Sequence, residues 1–98
     1  MFDKDRYLTQ GIDATIPLEV QAAMWITIEL MPEPKSYLQV FELEPLGEFV
    51  QRMTHTQEQP DYSCEVYVPL PHDVEAVTAK VYVIDDGDHS TMLLPEER

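Results

Sequence analysis

The densest group of side chains that could support chemistry is an acidic turn late in the sequence. It consists of Asp85, Asp86, Gly87, Asp88 and His89. Carboxylates and imidazoles are ligands that divalent cations bind. The spacing does not fit a calcium loop of the EF-hand type, which needs alternating acidic ligands before its glycine and a glutamate at the twelfth position. A hairpin also favours Asp and Gly at its turn for backbone reasons alone. We therefore assign no metal ligand and no cofactor, and keep a small metal-dependent enzyme that uses this turn as one functional hypothesis.

No nucleophile occurs in a catalytic setting. Ser90 lacks the glycine-flanked elbow of serine hydrolases, and the single cysteine, Cys64, lies in a strand pattern typical of a small buried hydrophobic residue. Three isolated glycines cannot form a phosphate-binding loop. His55 and His72 are far apart in the sequence, and we interpret both as surface residues. We therefore assign no catalytic residue and favour a noncatalytic protein over an enzyme.

Acidic residues outnumber basic residues by a wide margin. The 98 residues include 19 Asp and Glu against 6 Lys and Arg, which gives a formal net charge of -13. This charge repels both phosphate backbones and anionic membrane surfaces, so we expect no direct binding to nucleic acid or to a membrane. Two interpretations stay open. Either the charge only provides solubility, or the carboxylates imitate phosphates and the protein inhibits a nucleic-acid-binding protein, which clustering on one face would favour.

Length and composition indicate a single domain over residues 1–98. The hydrophobic content of 44% is too high for a disordered chain. The first residues lack the pattern of a secretory signal, and no apolar run approaches the ~20 residues of a membrane-spanning helix. Because one cysteine cannot form an internal disulfide, we expect a compartment that keeps thiols reduced. The cytoplasm is the expected location.

Glycine and proline positions divide the chain into seven predicted elements. They are a strand over 6–10, a helix over 16–31, and strands over 36–44, 48–57, 64–68, 78–85 and 88–94. We expect Thr15 to cap the helix, and an Asp86-Gly87 turn to place His89 opposite Ile84. The predicted fold class is α+β, with a mostly antiparallel sheet of five to six strands and one main helix on one face. The predicted order is β-α-β-β-β-β-β.

The predicted helix is apolar on two sides. One side carries Leu18, Ala22, Trp25 and Ile26, and the nearly opposite side carries Val20, Met24, Ile28 and Met31. A helix on one sheet face needs only one apolar stripe, so a second stripe indicates cover by loops or contact with another subunit. The candidate contact residues are therefore Trp25, Met24 and Ile28 on the helix and Asp85, Asp86, Asp88 and His89 on the hairpin.

Four strings of the sequence together resemble domain-of-unknown-function family 960. They are RYLTQG at Arg6, IPLEVQ at Ile16 with Met24-Trp25 after it, YLQVFEL at Tyr37, and TAKVYVIDDGDHSTMLL at Thr78. The family comprises small proteins of Gram-positive bacteria. The resemblance implies a bacterial intracellular protein with no known activity, cofactor or catalytic residue.

The leading hypothesis is a noncatalytic protein-interaction module. It uses the helix surface or the terminal hairpin to contact a protein partner or a second copy in a homo-oligomer. The alternatives are the acidic inhibitor and the metal-dependent enzyme described above.

Overall fold

The computed structural model describes residues 1–98 and has two helices and six strands. The elements are β1 (Asp5–Leu8), α1 (Gln10–Thr15), α2 (Leu18–Leu30), β2 (Leu38–Pro45), β3 (Val50–Gln57), β4 (Tyr62–Pro69), β5 (Ala79–Asp85) and β6 (His89–Leu93), followed by a 3₁₀ helix at Pro95–Glu97. The predicted α+β class is confirmed. Each predicted strand corresponds to an observed strand with shifted ends.

The six strands form one mixed sheet in the order β1-β6-β5-β2-β3-β4. All neighbouring strands are antiparallel except β1, which runs parallel to β6. The mostly antiparallel sheet of the prediction therefore fits, with one parallel pair added. β4 and β5 are consecutive but not adjacent, because β5 pairs with β2 in the middle of the sheet. This crossover leaves β4 as an edge strand.

The turn between β5 and β6 differs by one residue from the predicted turn. Ile84 pairs with Thr91, so the prediction that His89 lies opposite Ile84 is wrong. His89 instead lies opposite Asp86, whose amide donates to the His89 carbonyl at 3.0 Å. The two turn residues are Gly87 and Asp88. Gly87 has φ +102°, as the first central position of a type II′ turn requires.

The segment after β1, predicted as a polar connection, forms the short helix α1. Its cap is Thr9, whose hydroxyl accepts from the amide of Ile12 at 3.4 Å. The Glu97 carboxylate accepts from the Thr9 hydroxyl at 2.5 Å and from the Gly11 amide at 3.0 Å. The Thr9 hydrogen bond is the main reason that the pKa of Glu97 lies below its usual range. Thr9 is a local signal for the start of this helix, whereas the bonds from Glu97 come from the other end of the sequence and are not visible in a local pattern.

The main helix, α2, is shorter at both ends than predicted. It spans Leu18–Leu30, and Pro17 occupies the N-cap position without a side-chain hydrogen bond. The predicted cap, Thr15, belongs to α1, where its hydroxyl donates to the carbonyl of Gly11 at 2.6 Å. A proline is tolerated at this start because the first amides of a helix have no partner within the helix.

One face of the sheet and the two helices enclose the core. Alternate residues of the strands point to that face, as the period of two dictates. The core side chains are Phe2, Ile12, Ile16, Val20, Met24, Ile28, Phe41, Leu43, Met53, Leu70, Val81, Val83 and Met92. The other face of the sheet, which we call the open face, carries the intervening residues and is covered by neither helix.

Candidate interaction surface

The two apolar sides of α2 differ in their exposure to solvent. Val20, Met24 and Ile28 are fully buried on the sheet. Leu18 and Leu30 are 74% and 79% exposed, and Ile26 is 52% exposed. With the exposed Ala22, these side chains recur every four residues and therefore form one continuous row on the helix surface. We call Leu18, Ala22, Ile26 and Leu30 the outer stripe.

This arrangement corrects two of the predicted contact residues. Met24 and Ile28 are core residues with no exposed surface, so they are not available to a partner of the folded protein. The sequence showed two stripes of similar apolarity, and periodicity alone does not say which stripe faces the sheet. The exposed Leu18 and Leu30 were therefore missed as contact residues, although the two-sided pattern was present.

Trp25 lies at the margin of the outer stripe and is half-buried. The guanidinium of Arg6, on β1, lies 4.8 Å from the centre of the indole ring. The same guanidinium is 2.8 Å from the carboxylate of Glu29 on α2. Arg6 is thus occupied by contacts within the chain. The second acidic residue beside the stripe, Glu19, is exposed and forms no ion pair.

The first residue of the predicted acidic turn, Asp85, has a structural role. It is only 9% exposed, and its carboxylate accepts from the buried amide of Phe2 and from the amide of Gly87 at 2.7 Å. The carboxylate thereby anchors the chain before β1 and shapes the turn. It does not point into a shared site with the other acidic residues.

The other residues of the turn also bond to one another and to the backbone. One oxygen of Asp86 accepts from the amides of Asp88 and His89 at 3.2 and 3.1 Å. Its other oxygen lies 3.1 Å from Nε2 of His89. These contacts, chiefly the His89 amide, hold the pKa of Asp86 below its usual range. No group of three His, Cys, Asp or Glu side chains anywhere in the chain is arranged to hold a metal ion.

His55 is fully buried, which corrects its interpretation as a surface residue. Its ring stacks on Phe41 with centroids 4.4 Å apart, and its Nε2 lies 2.6 Å from Oε1 of Gln39. Because the Gln39 amide nitrogen donates to Gln57 at 2.7 Å, the facing oxygen accepts and Nε2 of His55 carries the proton. Burial lowers the pKa of His55 to about 4, so the ring is neutral at pH 7.

Gln57 continues this buried network into two loops. Its carbonyl oxygen accepts from the amide of Ser36 at 2.7 Å, and its nitrogen donates to the carbonyls of Pro34 and Pro60 at 3.3 and 2.9 Å. The network therefore fixes the connections before β2 and between β3 and β4. Since His55 has no access to solvent, we assign this network a structural role.

The chain is similar to one protein family in sequence and to one solved structure in fold. The family model described as "Staphylococcal protein of unknown function (DUF960)" matches residues 5–97. The chain belongs to the DUF960 family. A crystal structure of a protein of unknown function from Enterococcus faecalis matches with a TM-score of 0.83 and 23% identity, over 98% of this chain and 92% of that chain. At that identity the likeness shows the fold alone. A search of the curated proteins finds no match.

In this DUF960 protein the carboxylates are spread over the surface. By the alternation of their strands, Glu42, Glu44 and Glu65 lie on the open face. Other acidic residues lie on the helices, as Glu19 does, and many lie in loops. Arg52 is on the open face as well, and it forms ion pairs with Glu44 at 2.8 Å and Glu65 at 3.6 Å. This scatter argues against the inhibitor hypothesis, which required one acidic face.

Neither α1 nor α2 combines the length and the apolar character that crossing a bilayer requires.

Proposed function

We propose that this protein is a noncatalytic interaction module that binds a partner protein through the outer stripe of α2. The observation that carries this proposal is the exposure of Leu18, Ile26 and Leu30 in one row of a helix whose opposite side already fills the core. A continuous row of apolar side chains exposed to water favours binding to another protein. Single exposed apolar residues, in contrast, are common on protein surfaces and do not indicate a binding site. Their removal from water by a partner supplies the driving force for binding.

The charges around the stripe point to a basic partner. Glu19 and Glu29 lie on the exposed side of the helix, and Arg6, which contacts this helix, is already paired with Glu29. A second copy bound through its own outer stripe would present Glu19 and Glu29 again, and it would bring together two molecules that each carry a charge of -13. A helix with an apolar row bordered by Lys or Arg complements both the apolar outer stripe and the acidic residues beside it. We therefore take an amphipathic basic helix of another protein as the occupant.

The test is a photo-crosslink from the middle of the stripe. A photoreactive amino acid replaces Ala22 in one sample and Leu46 in a second, since Leu46 is 45% exposed but lies outside α2, after β2. Both proteins are incubated in a lysate of a bacterium that carries a family member and are then irradiated. We expect a product that is specific to position 22 and whose linked peptide has the sequence of a basic amphipathic helix.

Two further variants connect the product to the stripe. Ile26→Glu is expected to abolish the crosslink, and Leu46→Glu is expected to leave it unchanged. Both sites are exposed, so each change should alter the free energy of unfolding by no more than about 0.5 kcal/mol. A product that survives Ile26→Glu, an acidic linked peptide, a link to a second copy, or no product at all would refute the proposal.

A further inference from the structure

The edge strand β4 has a second unpartnered surface, which is made of backbone groups. Its pairing with β3 is continuous from Tyr62 to Pro69 without a bulge. Just beyond the strand, the Leu70 amide donates to the carbonyl of Phe49 at 2.8 Å, so Leu70 belongs to a hydrogen-bonded pair. Such pairs recur at every second residue of an antiparallel ladder. The bonds to β3 therefore come from the even-numbered positions of β4, which are Tyr62, Cys64, Val66 and Val68.

The remaining positions point away from the sheet. Ser63, Glu65 and Tyr67 direct their amides and carbonyls outward, and the last outward residue, Pro69, offers only its carbonyl. All four are exposed, and no element of the fold pairs with this edge. The edge thus offers three donors and four acceptors in a regular row.

Natural proteins usually block such an edge with charged side chains, above all lysine, or with proline, a bulge or a very short strand. β4 has eight residues, contains no lysine, carries proline only at its last position and has one charged side chain, Glu65. The opposite edge strand, β1, has only four residues. The β4 edge therefore offers a longer row of free backbone groups than the β1 edge does.

We infer that β4 binds an extended segment of another protein as a seventh strand of the sheet. On the core side, the new strand would lie beside the half-buried Cys64, Val66 and Val68, which favours apolar side chains at alternate positions. On the open face it would lie beside Glu65. That carboxylate has only a 3.6 Å contact to Arg52, whose short ion pair of 2.8 Å is with Glu44. A lysine or arginine opposite Glu65 is therefore the matching residue.

A second copy of this chain fits the edge less well than a basic segment. Antiparallel self-pairing that uses all three outward amides is centred on Glu65 and places two Glu65 carboxylates directly opposite each other. Like charges in that position destabilise a pair of strands. The site does not overlap the outer stripe of α2, so this inference does not depend on the proposed function.

The test uses ¹⁵N-labelled full-length protein and two synthetic peptides. The first is acetyl-Thr-Val-Thr-Val-Lys-Val-Thr-Val-Thr-amide, and the second has Glu in place of Lys. At saturation with the first peptide, we expect amide hydrogen exchange to slow at least about tenfold at Ser63, Glu65 and Tyr67, because these amides gain partners. The Val66 amide already bonds to β3 and should change little. The Glu peptide should bind about fivefold more weakly.

Two variants of Glu65 separate the backbone contribution from the charge. Glu65→Lys should reverse the preference, so that the Glu peptide binds about fivefold more tightly than the Lys peptide. Glu65→Pro removes an outward amide that β3 does not use, and proline is tolerated at such an edge position. It should abolish binding of both peptides, while Glu65→Thr, which keeps the amide, should retain it. Absence of binding to the unaltered protein, protection at α2 instead of β4, or an unchanged preference in Glu65→Lys would overturn the inference.

Discussion

Acidification from pH 7 to pH 5 should destabilise this protein mainly through His55. The folded state holds the pKa of His55 at about 4 against an ordinary value of 6.5, because the fully buried ring cannot be hydrated when charged. The unfolded chain therefore binds a proton that the folded chain rejects. The resulting stability is complete above pH 6.5 and is lost as the pH falls from 6.5 towards 4.

The size of the effect follows from the two pKa values. A change from 6.5 to about 4 corresponds to about 3 kcal/mol of unfolding free energy over the whole range. Between pH 7 and pH 5 the loss amounts to about 2 kcal/mol, since most of that interval lies between the two values. Such a loss is a large fraction of the ~5–15 kcal/mol that stabilises a typical domain.

Urea unfolding, followed by the fluorescence of Trp25, measures this loss at the two pH values. The reference is His55→Gln, whose amide can still donate to Gln39 but does not titrate. We expect the free energy of unfolding of the unaltered protein to fall by about 2 kcal/mol more than that of the variant. Carboxylates contribute equally to both proteins and cancel in the comparison. Equal pH dependence of the two proteins would refute the assignment of His55 as a buried neutral residue.

Two further predictions concern the two faces of α2 and the buried side chain of Gln51. Met24→Ala should cost about 2–5 kcal/mol of unfolding free energy because it opens a cavity in the core, whereas Ile26→Ala on the outer stripe should change it by less than about 0.5 kcal/mol. Urea unfolding measures both, and similar costs would contradict the observed orientation of α2. Gln51→Leu should cost about 3 kcal/mol, because the fully buried Gln51 amide bonds both backbone groups of Val77 and the carbonyl of Glu44 at 2.8–2.9 Å. A loss confined to less than about 0.5 kcal/mol would show that water replaces these bonds.

The features that were predicted correctly are those encoded by neighbouring residues. Alternation of apolar and polar residues located the strands, and it placed Cys64, Val66 and Val68 on the core side of β4. The features that were missed depend on distant residues. The carboxylate of Glu97 bonds to the start of α1 from the other end of the sequence, and the partners of the buried His55 come from β2. Residue type alone indicates neither arrangement.

The candidate surface was predicted only in part, for a related physical reason. The two-sided apolar pattern of α2 was visible in the sequence, but Met24 and Leu30 are equally apolar and only the sheet decides which of them is buried. The open edge of β4 was not predictable from its residues. An edge strand and a central strand carry similar alternation, and the strand order results from the crossover between β4 and β5.

The acidic charge of this protein is related to its two exposed surfaces, because carboxylates lie at both of them. Exposed apolar rows and open strand edges normally promote self-association. In this protein Glu19 and Glu29 accompany the outer stripe, and Glu65 lies at the centre of the open edge. Antiparallel contact between two copies at the open edge places the two Glu65 carboxylates opposite each other, closer than the ~8 Å over which physiological salt screens charge. Under the two proposals made above, a basic partner would gain from the same carboxylates that oppose contact between two copies, so the acidity would favour that partner as well as limit self-association.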